Sequence, residues 1–402
     1  MNRLPDEDEF HREAVAFLGS YATRRSDETG QAVWGRGDDR VSVVAERAEG
    51  EEEEIARLKD YRAALDRARL AWIDGPAAYG GRELPTHYAT GFRELESRYD
   101  LPDDGYTRFS VSTFCPALLK HGSEFLKQTY LHRLRSARLL ACQLFSEPGA
   151  GSDLAGLSTR AERHGDGWIL NGQKVWSSGA HYSDLGLCIA RTNRDAPKHA
   201  GLSTFLVDMR APGVEIRPIR QLTGGASFDE VFLTDVYVPD DHRLGEVDQG
   251  WRVVVDVLLN ERGAIGLESG IDEALLFRLV DLVRHTGAAG DPRVRDALAD
   301  LHIRSWAARE TTTRLLAAAK GGVPGPELAL SKLILVDLLR RAGDIASDVL
   351  GTAMIADTGE WGTFAWSELT LGLPGLRVGG GTDEILRNAV GERVLGLPKD
   401  AR

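Results

Sequence analysis

Very little in this sequence is given to cross-links, metal ligands or membrane spans. Cysteine occurs three times in 402 residues, at Cys115, Cys142 and Cys188. That is too sparse and too scattered for a disulfide framework or a zinc site, and its plain reading is a reduced, cytoplasmic compartment. The ten histidines stand singly, without ligand spacing, so no metal is expected. Apolar runs such as Trp251–Leu259 are interrupted by Arg252 and Asp256. None approaches the about 20 residues of a transmembrane helix. The opening Met-Asn-Arg-Leu-Pro-Asp-Glu-Asp-Glu has no apolar stretch behind a basic start, so no signal peptide is expected. Positive charge is scarce too. With 49 basic against 61 acidic residues the formal net charge is −12, which argues against nucleic acid as the main partner and against adhesion to anionic membranes. No strand–glycine–helix dinucleotide fingerprint, P-loop, internal repeat or low-complexity linker occurs.

What remains is an ordinary globular composition, 42% apolar and 27% charged, long enough for two or three domains. Residues 1–140 read as helical. Phe10, Ala14 and Phe17/Leu18 recur at helix spacing, as do Ile55, Leu58, Leu65 and Ala68. Glu51 to Glu54 suit the start of that second helix and read as solvated, while Gly75-Pro76 and Gly80-Gly81 mark a loop. Residues 141–242 read as an antiparallel β-domain of short strands: Trp168-Ile169-Leu170, closed by the turn dipeptide Asn171-Gly172, then Leu185–Ala190, Ser203–Asp208, Val214–Ile219 and Val231–Val238. Residues 243–402 turn helical again, with segments Trp251–Leu275, Arg293–Ala319, Glu327–Leu350 and Thr382–Leu395, which fit a four-helix bundle. The order is segregated α, β, α, which excludes a doubly wound sheet.

Two stretches can carry chemistry. Cys142-Gln143-Leu144-Phe145-Ser146-Glu147-Pro148-Gly149-Ala150-Gly151-Ser152-Asp153 begins as an apolar strand and ends as a small-residue loop. Its hydroxyls and exposed N–H groups could hold a phosphate or a heterocycle edge. It could equally be a strand-to-strand turn. Asn171–Ala180 contains Trp176 followed by Ser177, Ser178 and Gly179. That is an ordinary core Trp, or an aromatic wall with polar groups beside a flat ligand.

These residues resemble the acyl-CoA dehydrogenase family. The likeness rests on Ser146–Asp153, Asn171–Gly179, Asp229–Pro239, Asn260-Glu261-Arg262, and Gly381-Thr382-Asp383-Glu384 through Leu395-Gly396-Leu397-Pro398, five motifs in order. It covers nearly the whole chain and is weakest before residue 70 and at 285–295. The resemblance implies a non-covalent FAD between the β-domain and the C-terminal bundle. It assigns cofactor contacts to Gln143, Phe145, Ser146, Gly151, Ser152, Trp176, Ser177, Ser178, Thr382 and Glu384, and substrate contacts to Ser152, Arg262, Gly380 and Gly381. Ser146 would meet the pyrimidine edge of the flavin, Trp176 its ring, and Ser178 its N5 and O4. The reaction implied is α,β-dehydrogenation of an acyl thioester, on CoA or on a carrier protein: a carboxylate removes the α-proton while the β-hydrogen leaves as hydride to flavin N5. An electron-transfer flavoprotein would be the partner, and a homotetramer or mixed tetramer the assembly, with a non-catalytic subunit as the alternative role.

The likeness departs from the common pattern at the base. Many members carry a catalytic Glu two residues before the Thr matching Thr382, where this chain has Gly380. A minority place the Glu on a helix of the C-terminal domain, followed by Arg, as in Glu261-Arg262 here. Glu261 is therefore the expected base and Arg262 an orienting or substrate-contacting group, although such a pair by itself also reads as a surface salt bridge. Glu384, Glu368 and Asp383 are the rivals. Gly379-Gly380-Gly381 removes side-chain bulk, which suggests a branched or bulky acyl group, or simply a flexible helix start. The Arg–aromatic–Gly pattern that many members show is missing from Asp281–Asp291.

Overall fold

The structure is a computed structural model, and it describes residues 5–25, 41, 50–266, 273–318, 325–356, 362 and 364–399. They form two compact units. One holds the described residues up to 257 except 41 and 220–225, and the other holds 41, 220–225 and the described residues from 258 onward.

The first unit starts with helices α1 (Glu7–Tyr21), α2 (Glu51–Arg67) and α3 (Thr86–Glu96). The periodic apolar positions are the buried ones: Phe10, Ala14 and Leu18 on α1, Ile55, Leu58 and Leu65 on α2. The short α4 (Gly105–Arg108) runs through a π-helical turn, Phe109–Phe114, into α5 (Cys115–His121). Pro116 has no N–H to return to the preceding turn, so the turn widens. Ser110 in that turn accepts a hydrogen bond from the Ala141 N–H at 2.8 Å, which seats the first strand on it. Helix α6 (Glu124–Arg135) is capped by Ser123.

Eight strands follow: β1 (Ala141–Leu144), β2 (Arg160–His164), β3 (Gly167–Ser178), β4 (Leu185–Arg191), β5 (Leu202–Asp208), β6 (Val214–Ile219), β7 (Phe228–Pro239) and β8 (Arg243–Leu244). They form one sheet in the order β6-β7-β3-β2-β4-β5-β8, with β1 beside β4. The sheet is mainly antiparallel, but β1 lies parallel to β4, which corrects the purely antiparallel expectation. Residues 185–190 of β4 are all buried, without alternation, the signature of a strand covered on both faces. The edge strand β6 instead alternates half-buried and exposed residues. It carries Pro218 and a Glu215–Arg217 ion pair.

Asn171-Gly172 is not a turn. It lies inside β3, where the pairing with β7 slips by a residue between Leu170 and Gly172. The turn before β3 contains Gly165, at φ +58°. Asn171 exchanges two 3.0 Å hydrogen bonds with Asp235 across the slip. A Cβ on Gly172 would sit 2.2 Å from the Thr159 hydroxyl and 2.8 Å from its Cα. The glycine serves close approach rather than chain reversal. Gly172→Ala should therefore cost about 1–3 kcal/mol through overpacking. Gly149→Ala, with nothing within 4 Å of the added carbon, should leave the thermal midpoint where it is.

Helix α7 (Gly250–Gly266) begins in the first unit. The second unit contains α8 (Glu273–His285), α9 (Pro292–Ala318), α10 (Ala329–Leu350), α11 (Ser367–Val378) and α12 (Asp383–Arg393). Its core is built on Leu279, Leu282, Leu301, Leu338, Ala342, Trp366 and Leu369. The expected single segment Trp251–Leu275 is represented by α7 and the start of α8, and residues 267–272 lie outside the described residues. Helix α11 is absent from the segments expected, because Pro374 with Gly372 and Gly375 beside it masks its periodicity. Among the described residues no helix is long and apolar enough to cross a membrane.

Candidate active site

The glycine loop and the tryptophan strand are stitched together. Strand β3 stops pairing with β7 between Lys174 and Ser177. There the Val175 N–H donates to the Ser146 carbonyl at 2.9 Å instead. The diverted hydrogen bond makes the bulge, and the bulge sets Trp176 at φ +60°. A left-handed backbone is unusual for a bulky residue and costs of order 1–3 kcal/mol, so it persists where the surroundings enforce it. Trp176 is 58% exposed and meets Phe228 edge-on at 5.9 Å. Ser177 is buried, and its hydroxyl has no hydrogen-bond partner. Ser178 is exposed. Trp176 and Ser178 are exposed while Ser177 between them is buried, so the two share the outward face.

Lys174 fixes the loop from beneath. Its side chain is fully buried, with Nζ 3.0 Å from the Phe145 carbonyl and 2.9 Å from Glu147 Oε1. Glu147 also accepts hydrogen bonds from the Ser158 N–H and hydroxyl and from the Thr159 N–H. Burial alone would raise the Glu147 carboxyl, but the Lys174 ammonium and these donors outweigh it and hold it down at about 2. Around this anchor Gln143 and Ser146 are half-buried, Phe145 is buried, and Gly151 and Ser152 are exposed. Sequence reasoning gave Lys174 no role. The available signal was its parity with Leu170 and Gly172, which puts a charged residue on the inward face of β3.

A second polar cluster lies at the end of β3. His181 donates through its backbone N–H and its ring Nδ1 to Asp229 Oδ2, at 3.0 and 2.7 Å, and its Nε2 lies 2.9 Å from Glu51 Oε2. Glu51 is 8% exposed. The solvated reading of the Glu51–Glu54 run is thus wrong at its first residue, while Glu52 and Glu53 are exposed.

The remaining expected residues belong to the second unit. Glu261 lies on α7 and is half-buried, and the Arg262 side chain is outside the described residues. Gly380 and Gly381 have φ +65° and +101°. Thr382 is the N-cap of α12, its hydroxyl accepting from the Ile385 N–H at 3.2 Å. Glu384 is exposed, Asp383 is buried against Arg377, and Glu368 is buried on α11.

The first-unit residues fit a flat, polar-edged cofactor. An aromatic face is held open by an enforced backbone, a hydroxyl stands on the same face, and a Cβ added at Gly149 or Gly151 would meet nothing within 4 Å, so the loop is open there. Family models described as the middle and the C-terminal domain of acyl-CoA dehydrogenase match residues 142–236 and 248–395. The chain belongs to the acyl-CoA dehydrogenase family: it is an FAD-dependent oxidoreductase acting on acyl-CoA. It is 39% identical over 358 residues to acyl-CoA dehydrogenase IpdE1 of Mycobacterium tuberculosis, covering 88% of this chain and 91% of that one. Among solved structures it matches the Tcur3481-Tcur3483 steroid ACAD at a TM-score of 0.76 and 25% identity, covering 100% of both chains. It also matches the ChsE4-ChsE5 complex of Mycobacterium tuberculosis at 0.71 and 24%, covering 99% of each.

Proposed function

We propose that Glu261 is the base that takes the α-proton of the acyl-CoA, and that the acyl group is branched, cyclic or otherwise bulky. FAD, when bound, supplies the two-electron acceptor for the β-hydrogen. Trp176 and Ser178 would line the ring, Ser146 its polar edge, Ser152 and the Gly151 backbone the phosphate side, and Thr382 and Glu384 the adenosine half. The enforced exposure of Trp176 carries the cofactor assignment. An α-proton next to a thioester is weakly acidic, so the base must be held in place, and charge developing on the carbonyl oxygen needs donors aimed at it. Glu261 supplies a half-buried carboxylate, and Arg262, the next residue on the helix, would contact the substrate.

Gly380 has no side chain with which to accept a proton. Gly380 and Gly381 both adopt a positive-φ backbone that costs glycine little and strains residues with a Cβ. The lack of side chains at both positions supports the bulky acyl group, as does the likeness to a chain titled a steroid ACAD. Electrons would pass on to an electron-transfer flavoprotein. The assembly would be a tetramer of this chain alone or with a second member of the family.

The test is anaerobic mixing of the FAD-loaded protein with CoA thioesters of straight, branched and ring-bearing acids, following the flavin absorbance. Bleaching is expected to be fastest with the branched or ring-bearing thioesters. Preference for straight chains would remove the acyl assignment, and failure of every thioester would remove the reaction.

A further inference from the structure

The cluster at the end of β3 has no part in the chemistry above, yet it holds the strand that does. Asp229, on β7, is the Cα partner of Ser177, one residue beyond Trp176. Asp229 is fully buried, and its Oδ1 accepts no hydrogen bond, so His181 carries the pairing of this carboxylate. The chain between is folded tightly. Gly179 is at φ +63°, its N–H donates to the Ser227 carbonyl, and its own carbonyl accepts from the Ser183 hydroxyl at 2.8 Å. The far side of the imidazole reaches Glu51, in the first turn of α2. One ring therefore ties the turn that leaves β3, just beyond Ser178, to β7 and to a helix.

We propose that His181 is a positioning residue for the cofactor: as an imidazolium bridging Asp229 and Glu51, it locks the end of β3 so that Trp176 and Ser178 present a preformed face to the flavin. This rests on the assignment of that face to FAD. Both ring nitrogens meet carboxylates, which only accept, so both must carry protons. Burial by itself lowers the imidazole pKa, but the hydrogen bonds to Asp229 and Glu51 and the two negative charges overcome it, and the net direction is upward. The other titratable groups here are Tyr182 on the same turn, Tyr106 on α4, whose ring is 5.4 Å from that of Tyr182, and Cys142 on β1. Burial raises both tyrosines and pushes the thiol up to about 12. His181 is thus the group of this cluster whose charge changes first as pH rises above the ordinary imidazole range.

The sign follows directly. A pKa raised on folding contributes order that is complete below the ordinary imidazole range and is lost as pH climbs through the raised value. The experiment titrates FAD into apoprotein at a series of pH values, by flavin and tryptophan fluorescence, for the wild type and for His181→Gln, Glu51→Gln and Trp176→Ala. The ring nitrogens of His181 are followed by NMR in the apoprotein. The expected result has four parts. Wild-type affinity falls about tenfold as the imidazolium titrates. His181→Gln is weaker by a similar factor at neutral pH and flat across the window. Glu51→Gln moves the fall to lower pH. Both ring nitrogens are still protonated at pH 6.5. If Trp176→Ala weakens FAD while His181→Gln keeps wild-type affinity and pH profile, or if the ring is neutral at pH 6.5, the inference is overturned. If Trp176→Ala leaves FAD affinity unchanged, it is the assignment of the face that fails. Glu51→Gln removes a partner without leaving Asp229 alone, so the test survives a misfolded His181 variant.

Discussion

Glu261→Gln is expected to keep FAD, fold and substrate affinity while cutting the rate of flavin reduction by at least about 10²–10⁴-fold. That corresponds to roughly 3–5 kcal/mol of lost transition-state stabilisation. Gln has nearly the same shape as Glu and suits a half-buried position on α7, so a change confined to the chemical step separates a base from a packing residue. Exchange of the α-hydrogen of a thioester with deuterated solvent should fall in parallel, because that exchange needs the base and no electron acceptor. Near-normal reduction would reject the assignment and return attention to Glu368, buried on α11, and Glu384, exposed on α12.

Lys174→Met should be the most damaging single change to stability. It removes the ammonium and leaves Glu147 buried, 5% exposed, with only neutral donors. Breaking a buried ion pair from one side costs about 3–5 kcal/mol. The Ser158 and Thr159 donors place the expectation toward the lower end. The loop should loosen with it, because Lys174 also binds the Phe145 carbonyl, so FAD retention on gel filtration should fall together with the thermal midpoint. Lys174→Met/Glu147→Gln should recover much of the loss, since no uncompensated charge then stays buried. Acid gives an independent check. The Glu147 carboxyl is depressed from 4.5 to about 2, so its contribution is complete above 4.5 and disappears as pH falls toward 2. A Lys174→Met protein whose acid transition and FAD content match the wild type would contradict the account.

The parts of the fold that could be read from sequence are those where one physical signal dominates. Apolar spacing located α1, α2, α9 and α10. Short apolar runs located β4, β5 and β6 to within a residue or two. Three of the five motifs that resemble the acyl-CoA dehydrogenase family lie wholly within the residues matched by its models, and Asp229–Pro239 and the closing motif run past them by three residues each. Misreadings arose where one residue type serves two purposes. Asn-Gly makes turns, but at 171–172 the missing Cβ admits Thr159. A run of glutamates suits a helix start, but Glu51 was also buried against a histidine 130 positions away. Such long-range pairs leave no local trace. Neither does the bulge at Val175, whose N–H donates to the Ser146 carbonyl in a loop far back in the chain.

The edge strand β6 limits how this protein can assemble. A neighbouring chain that tried to extend the sheet there would meet Pro218, which offers no N–H, and the Glu215–Arg217 charges. Recruitment by strand addition is thereby closed off on that side. Any partner that approaches this edge would be held by side chains, where surface chemistry rather than backbone pairing decides which neighbour is accepted.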